Sequence, residues 1–288
     1  MSILSPSAVV LGTAQDGGYP QAGCRESCCT GPDSLPEGPL YCSSLAICDP
    51  ASKKRWIIDC TPSFPRQLAL LDEIAPGQAL PAFLLTHAHI GHYTGLTQLG
   101  REVLNAREVD VFTLERMQEF LENNLPWKEL IADGNIKLRP MEANREFELA
   151  PGIRVTPLLV PHRDEYSETT CFLVEGPKSS LLWLTDIDGW EELSPSIEEL
   201  ISRVDIAFLD GTFFSADELP GRDLSSISHP FIETSIARFS RLPAVQREKI
   251  RFIHLNHSNP AILPASPATK RIEQAGHLIA RQGDLIEL

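Results

Sequence analysis

Three histidines stand close together in segment 86–92, which reads THAHIGH. The chain has eight histidines in all, so this segment is a marked concentration of them. Just upstream, residues 81–85 (PAFLL) form an apolar run of strand length. Side chains alternate along a strand, so His87 and His89 point to the same face. Two imidazoles converging from one strand end suit Zn²⁺, Fe²⁺ or Mn²⁺. The segment therefore predicts a metal site rather than a polar loop that happens to contain histidine.

Other potential ligands also follow apolar, strand-like runs. They are His162, Asp186, Asp210 and His254. A row of strand ends that carries His and Asp is the arrangement a metal hydrolase needs. One metal lowers the pKa of a bound water, and two metals bridged by a carboxylate clamp the attacking and leaving oxygens.

The elements that must position these side chains come in blocks of strands with intervening helices. Strand-like runs cover residues 8–11, 45–48, 56–60, 81–85, 153–160, 170–174, 180–185, 206–209 and 250–255. Helical spacing covers residues 65–74, 96–104 and 231–239. The blocks do not alternate strictly as βαβ units. The pattern therefore favours a layered α/β fold, an αββα sandwich, over a doubly wound sheet.

The overall charge limits the classes of partner. The formal net charge is −14, which argues against nucleic acid or an anionic membrane as a general partner. A small anionic substrate stays compatible, because a bound metal inverts the local field. No apolar run approaches the length of a membrane span, and residues 1–6 lack the features of a signal peptide. We expect a cytoplasmic protein, and the sequence leaves its oligomeric state open.

The cysteines indicate a second metal site. The chain has seven cysteines, an odd number without a secretion signal, which argues against a disulfide framework. Cys24, Cys28 and Cys29 cluster within residues 13–38, a long stretch rich in Gly, Pro, Cys and Asp. A loop of this length is usually functional or pinned. Metal binding would explain both its length and its cysteines.

The order of the histidines and aspartates resembles the metallo-β-lactamase superfamily. The usual motif there is His-x-His-x-Asp-His, followed by a His, a bridging Asp and a last His. The resemblance implies an α/β fold, the αββα sandwich, as a single domain over residues 1–288 with metals at one edge. The implied ligands are His87, His89 and His162 for one metal, His92 and His254 for the second, and Asp186 as the bridge. Asp59 matches an acidic residue before the motif, expected just behind the ligands.

One position departs from that motif. Gly91 stands where the motif has Asp, so the second metal loses a ligand and the site loses a candidate base. A water or a neighbouring aspartate could fill the gap and keep two metals; the candidates are Asp16, Asp164, Asp188 and Asp210. Otherwise the site holds a single metal, or its chemistry has changed. The substitution favours one well-held metal, and we expect Gly91→Asp to strengthen the weak position, provided that the loop accepts a Cβ there.

Three further stretches narrow the resemblance. Residues 17–24 (GGYPQAGC), 209–214 (LDGTFF) and 252–260 (FIHLNHSNP) are similar to the pyrroloquinoline-quinone synthesis protein B family and its relative, the cyclic phosphodiesterase of phosphonate breakdown. That branch holds a structural zinc with N-terminal cysteines and a histidine three positions after the last active-site histidine. The resemblance thus implies a zinc on Cys24, Cys28, Cys29 and His257. The cysteine spacing differs from the family's Cys-x-Cys-x-x-Cys, so which cysteines bind stays open.

A further histidine has two open interpretations. His229 follows the segment 210–212 at the distance where related families place a Gly-His pair. It could contact substrate or donate a proton to a leaving group. It could equally be a loop residue that caps a helix.

These residues predict a metal-dependent hydrolase, acting on a phosphodiester or other ester of a small molecule through a metal-bound hydroxide. Asp186 and His229 are the predicted catalytic residues. Zinc is expected in the structural site and in the active site, with iron or manganese as alternatives in the latter. The rival predictions are an iron-dependent oxygenase, implied by the resemblance to the quinone-synthesis family, and a non-catalytic metal-binding protein on the same fold. Fold alone does not separate these.

Overall fold

Two mixed β-sheets form the centre of the molecule, and helices cover their outer faces. The computed structural model describes residues 3–31, 38–76, 79–223 and 227–288; residues 32–37 of the predicted long loop lie outside this part. The strands of the first sheet are β1 (Ser7–Gly12), β2 (Ser44–Asp49), β3 (Lys54–Ile58), β4 (Ala82–Leu84), β5 (Val109–Thr113), β6 (Ile136–Pro140) and β14 (Leu285–Glu287), in the spatial order β14-β1-β2-β3-β4-β5-β6.

The second sheet follows the first along the chain, and only β14 returns to the first. Its strands are β7 (Phe147–Ala150), β8 (Ile153–Val160), β9 (Thr169–Glu175), β10 (Ser180–Leu184), β11 (Ile206–Asp210), β12 (Ile250–Ile253) and β13 (Leu278–Ile279), in the order β13-β12-β11-β10-β9-β8-β7. The helices are α1 (Ser27–Thr30), α2 (Phe64–Ile74), α3 (Ile90–Tyr93), α4 (Glu115–Asn123), α5 (Trp127–Ala132), α6 (Ile197–Arg203), α7 (Ile232–Phe239), α8 (Ala244–Arg247) and α9 (Pro267–Gln274).

The alternation of side chains along each strand builds the layers. In β2, Leu45 and Ile47 join the core between the two sheets, where Phe172 and Trp183 of the second sheet also lie. The alternate residues of β2 face α2 and α4 on the other side. The outer face of the second sheet packs against α6, α7 and α9 in the same way. Apolar burial on both faces of both sheets gives the αββα sandwich, which confirms the predicted fold.

Strand direction brings the predicted ligands to one edge. β10, β11 and β12 are parallel, and β8 runs the same way because β9 is antiparallel to both β8 and β10. In the first sheet, β3 and β4 are parallel. The carboxyl ends of parallel strands lie at the same edge of a sheet, which is where open α/β folds bind ligands. The residues that follow these strands are therefore neighbours in space.

The predicted helix over residues 96–104 is wrong. The chain instead forms a short 3₁₀ turn, Thr94–Leu99, directly after α3. Gly95 is the reason for this close packing, since its amide donates to the carbonyl oxygen of Cys60 at 2.9 Å. A Cβ at residue 95 would lie 2.1 Å from the carbonyl oxygen of Thr61. This hydrogen bond holds the chain after the histidine segment close to the end of β3.

None of the helices in the described part of the chain combines the length and apolar character needed to cross a lipid bilayer.

Gly95→Ala is expected to lower the free energy of unfolding by about 1–3 kcal/mol, because the added methyl group overpacks a backbone contact. Urea denaturation of the metal-free protein measures this change. Gln98→Ala, in the same turn and half-exposed, should stay within about 0.5 kcal/mol of wild type. Equal stabilities for all three proteins would contradict the proposed role of Gly95.

Candidate metal centre

Asp186, which follows β10, lies at the centre of the predicted ligands. Its Oδ2 is 3.6 Å from Nε2 of His92, and its Oδ1 is 3.6 Å from Nε2 of His254. Nε2 of His162 lies 3.9 Å from the same Oδ1. One carboxylate therefore faces imidazoles from both sheets, as a bridging ligand would.

Two groups of potential ligands surround this carboxylate. In the first, Nε2 of His87 lies 2.8 Å from Nδ1 of His89, and His162 offers a third nitrogen within 4.8 Å of the others. In the second, His92 and His254 are joined by Asp16 from the loop after β1, again within 4.8 Å. The structure thus brings together all six predicted active-site ligands, and it adds Asp16.

A set of buried acceptors orients the imidazoles. Nδ1 of His92 donates to Oδ2 of the fully buried Asp59 at 2.7 Å, and Nδ1 of His162 donates to Oδ1 of Asp188 at 2.9 Å. The hydroxyl of Thr212 donates to Asp210, so it accepts from Nδ1 of His254, 3.0 Å away. Each of these histidines is left with Nε2 facing the centre. Partners of this kind fix the tautomer of a metal-binding histidine and its ring orientation.

The unsatisfied atoms at the centre fit a cation. Within the described residues, four buried polar atoms of the site have no hydrogen-bond partner: Oδ1 of Asp16, Oδ2 of Asp186, and Nε2 of His92 and of His254. Leaving such atoms unpaired in an interior costs free energy. Carboxylate oxygens and imidazole nitrogens that converge in this way are ligands for Zn²⁺ or a similar ion. The residues present therefore fit the metal that the sequence predicts.

Charge states favour the same interpretation. Burial lowers the pKa of His87 well below its usual value, and the neighbouring charge of His92 lowers it further. Burial also lowers the pKa of His89 and of His162, so all three imidazoles offer free lone pairs. For Asp186, burial acts to raise the pKa, but the imidazoles around it hold it well below the usual range. For His92, burial acts to lower the pKa, but the charges of Asp186 and Asp59 raise it well above the usual value. The site thus combines carboxylates with three neutral imidazoles, and both kinds of group suit a cation.

The backbone is strained at three residues of the site, two of which directly follow a strand. Asp59, His229 and His254 have positive φ angles of 67°, 88° and 64°. Left-handed conformations are uncommon for residues other than glycine, though Asp and His adopt them more readily than most. Strain of this kind persists where the surrounding structure imposes it, and it clusters at functional sites.

His229 forms a buried pair with Asp210 beside the ligands. Its Nδ1 donates to Oδ2 of Asp210 at 2.6 Å, and its ring centroid lies 5.3 Å from that of His162. Burial alone would lower its pKa, but the charge of Asp210 and this hydrogen bond raise the pKa of His229 to about 9. Asp210 is fixed in turn by the amide of Ile187 and by Thr212. His229 therefore carries a proton near neutral pH, and of its two ring nitrogens only Nδ1 is hydrogen-bonded among the described residues.

A cleft of about 530 Å³ opens onto the centre. Its walls carry four aromatic side chains and two arginines: Tyr93, Phe120, Tyr166, Phe213, Arg163 and Arg222. His89, His162, His229, Asp16 and Asp186 also line it. The cleft has room for a small molecule and offers both apolar surface and positive charge to it.

The cysteine cluster lies apart, at the end of the segment that carries His254. Sγ of Cys28 is 3.9 Å from Sγ of Cys24 and 4.0 Å from Sγ of Cys29. Nδ1 of His257 lies 3.7 Å and 3.5 Å from the sulfurs of Cys28 and Cys29. Around a tetrahedral zinc, ordinary bond lengths place two sulfurs roughly 3.8 Å apart and a sulfur and a nitrogen roughly 3.6 Å apart. The four side chains thus have the geometry of a closed zinc site.

The lack of a side chain at Gly91 leaves space for Asp16, a role that the sequence did not indicate. A Cβ at residue 91 would lie 2.1 Å from Oδ1 of Asp16 and 2.7 Å from its Cα. The expectation that Gly91→Asp would strengthen the second position required room for a Cβ, and the structure leaves none, because Asp16 already occupies that space. Asp188 and Asp210 instead accept hydrogen bonds from His162 and His229. Asp164 pairs with an arginine at the surface. No spacing rule distinguishes Asp16 from these in the sequence.

Comparison with known proteins agrees with this architecture. A family model described as "Beta-lactamase superfamily domain" matches residues 54–255. The chain is similar to the coenzyme PQQ synthesis protein B of Methylobacterium radiotolerans, with 27% identity over 303 residues, 96% of this chain and 97% of that protein. Its namesake in Bradyrhizobium diazoefficiens is 25% identical over 313 residues, 97% and 99% of the two chains.

Solved structures give the same fold. The zinc-bound PqqB of Methylobacterium extorquens superposes with a TM-score of 0.80 at 24% identity, covering 98% of this chain and 100% of that one. A diphosphatase from the PhnP family superposes with a TM-score of 0.71 at 22% identity, covering 99% and 98%.

Proposed function

The chain belongs to the beta-lactamase superfamily, and from that premise we propose that it is a metal-dependent hydrolase of a small-molecule phosphodiester or other ester. The observation that carries the proposal is the convergence of four buried, unpartnered ligand atoms at the floor of an open cleft. His87, His89 and His162 would hold one metal, His92 and His254 the other, with Asp186 between them.

A metal bound there would lower the pKa of a water molecule, so that hydroxide would be available near neutral pH, and would stabilise charge on the substrate oxygens. The chain's own residues do the rest. Asp59 and Asp188 hold His92 and His162 in orientation, and the aromatic walls of the cleft exclude water from one side of the substrate.

His229 is the proposed general acid. Asp210 occupies its Nδ1, so the proton available to a substrate in the cleft is on Nε2. The oxygen of water forms a bond to the phosphorus or carbonyl carbon and gives up one proton to solvent. The bond to the leaving oxygen breaks, and that oxygen takes the proton from Nε2 of His229. Proton transfer of this kind contributes about 10²–10⁴-fold to a rate.

The cleft favours a small anionic substrate. Arg163 and Arg222 stand on its walls, and their guanidinium groups suit a phosphate or carboxylate. The aromatic walls suit an apolar or ring-containing leaving group. The net charge of −14 still disfavours nucleic acid as the partner.

The cysteine cluster is proposed to bind a structural zinc. Cys24, Cys28, Cys29 and His257 complete a Cys₃His set, a common closed structural site. The hydroxyl of Tyr19 donates to the carbonyl oxygen of Cys28 at 2.7 Å, which ties the same loop to the core. Zinc there would connect the N-terminal loop to the chain just after β12.

Asp186→Asn is expected to abolish ester hydrolysis and to lower the metal content, with the fold intact, because a neutral amide binds a cation less well than a carboxylate. The assay is a screen of nitrophenyl phosphodiesters and carboxylic esters with Zn²⁺, Mn²⁺ or Fe²⁺ supplied. Asp164→Asn is the matched control, since that carboxylate is 74% exposed and pairs with Arg116. It should keep wild-type activity.

Two results would contradict this proposal. Wild-type turnover by Asp186→Asn would mean that Asp186 is not a ligand. If no ester is hydrolysed with any metal, while Fe²⁺ and dioxygen are consumed with a small aromatic substrate, the protein is an oxygenase. Histidine and carboxylate ligands with open positions also suit iron.

His229→Ala is expected to slow esters with poor alkoxide leaving groups by about 10²–10⁴-fold and nitrophenyl esters much less, because nitrophenolate leaves without a proton. Steady-state kinetics on a matched pair of substrates measures this. A purely structural role for His229 would slow both substrates equally, and that result would contradict the assignment.

The pH profile tests the same pair. His229 acts in its protonated form, so activity should fall as pH rises through its pKa, which Asp210 raises to about 9 and nearby metal ions lower. Asp210→Asn removes the carboxylate charge, so the alkaline limb of the profile for the alkyl ester should move to lower pH. An unmoved limb would show that another group titrates there.

His257→Ala should release one equivalent of zinc and lower the melting temperature while the active-site metal stays bound. His277→Ala is the control: that histidine packs between Phe239 and Phe252 away from the cysteines, so it should destabilise the fold without loss of zinc. Metal analysis and thermal melting measure both. Unchanged zinc content in His257→Ala would contradict the proposed structural site.

A further inference from the structure

We propose that Asp16 takes the place of the missing motif aspartate and supplies the carboxylate ligand of the second metal position. The second position would then be completed by the N-terminal loop rather than by the histidine segment itself. The inference rests on the metal binding in the proposed function, but not on ester hydrolysis.

The position of the Asp16 carboxylate is the first argument. Its Oδ1 lies 3.2 Å from Nε2 of His92 and 3.5 Å from Nε2 of His254. A nitrogen and an oxygen that bind the same tetrahedral zinc lie roughly 3.3 Å apart. Oδ1 of Asp16 and both nitrogens are buried, and none has a hydrogen-bond partner within the described residues. A cation bound between the three atoms would therefore supply the partner that each of them lacks.

The fit between Asp16 and Gly91 is the second argument. Any side chain at residue 91 would begin with a Cβ that overlaps Oδ1, Cγ and Cα of Asp16, at 2.1, 2.4 and 2.7 Å. Glycine at 91 is thus the condition that lets Asp16 reach the site. The carboxylate of Asp16 can occupy its position only as long as residue 91 has no side chain.

The backbone around Asp16 is held firmly enough to position a ligand. The amide of Gln15 donates to the carbonyl oxygen of Leu255, next to His254, at 2.9 Å. The thiol of Cys42 donates to the carbonyl oxygen of Asp16 itself at 3.2 Å. Ala14 pairs with Tyr41 on the other side. Asp16 is therefore tied directly to the strand end that carries His254.

The other aspartates named as substitutes are engaged elsewhere. Asp188 accepts from Nδ1 of His162, and Asp210 accepts from His229 and Thr212. Asp164 pairs with Arg116 at the surface. None of them is placed against both His92 and His254, whereas Asp16 contacts both.

The test is a metal titration of the apo full-length protein. Wild type should bind two active-site equivalents of Zn²⁺ or Mn²⁺ by calorimetry, in addition to the zinc of the cysteine cluster. Asp16→Ala and Asp16→Asn should lose one active-site equivalent, or bind it at least about tenfold more weakly. Asp164→Asn should match wild type. Circular dichroism of the apo proteins establishes that each variant is folded.

Gly91→Ala gives a second, independent readout. It changes no ligand atom, yet its methyl group must displace Asp16, so it should lose the same equivalent as Asp16→Ala. The inference is overturned if Asp16→Ala binds both active-site equivalents with wild-type affinity, or if wild type never binds a second one. If the metal losses occur as expected but no ester is hydrolysed by wild type, the role of Asp16 stands and the hydrolase proposal fails.

Discussion

A buried carboxylate surrounded by imidazoles is the constraint on which the rest of the structure depends. Asp186 cannot lie unpaired in an interior without cost, and neither can the imidazole nitrogens that face it. Within the described residues, no hydrogen bond satisfies Oδ2 of Asp186 or the Nε2 atoms of His92 and His254. Asp59, Asp188 and Thr212 instead hold the Nδ1 atoms, so the Nε2 atoms stay directed inward. The Nε2 atoms and the carboxylate of Asp186 are therefore positioned to bind a cation.

The N-terminal loop after β1 lies against both proposed metal sites. It approaches the segment after β12 at two places, through Asp16 beside His254 and through the cysteines beside His257. A single short stretch of chain thus connects the active-site ligands to the proposed structural zinc. Strain in the backbone of His254 is sustained because both contacts hold the stretch from either side.

Two histidines at the same edge have opposite charge states because their neighbours differ. His87 packs beside other imidazoles, and burial dominates, so its pKa falls well below the usual value. Burial also acts to lower the pKa of His229, but the charge and hydrogen bond of Asp210, together with the charges of Asp186 and Asp16, raise it to about 9. The first environment suits the proposed metal ligand and the second suits the proposed proton donor, on side chains of the same type. This division of roles is what a hydrolytic site requires.

The sequence by itself determined the strands, the layered fold and most of the site, because apolar alternation and the carboxyl ends of parallel strands are local signals with a fixed spatial meaning. His87, Asp186 and His254 could be placed at strand ends in this way, whereas His92 was identified through the resemblance to the family motif. The 3₁₀ turn after α3 and the proposed ligand role of Asp16 could not be predicted, because each depends on contacts between segments far apart in the chain. Gly91 lacks a carboxylate in the sequence, and only the tertiary structure provides one, by placing Asp16 in the space that a side chain there would fill.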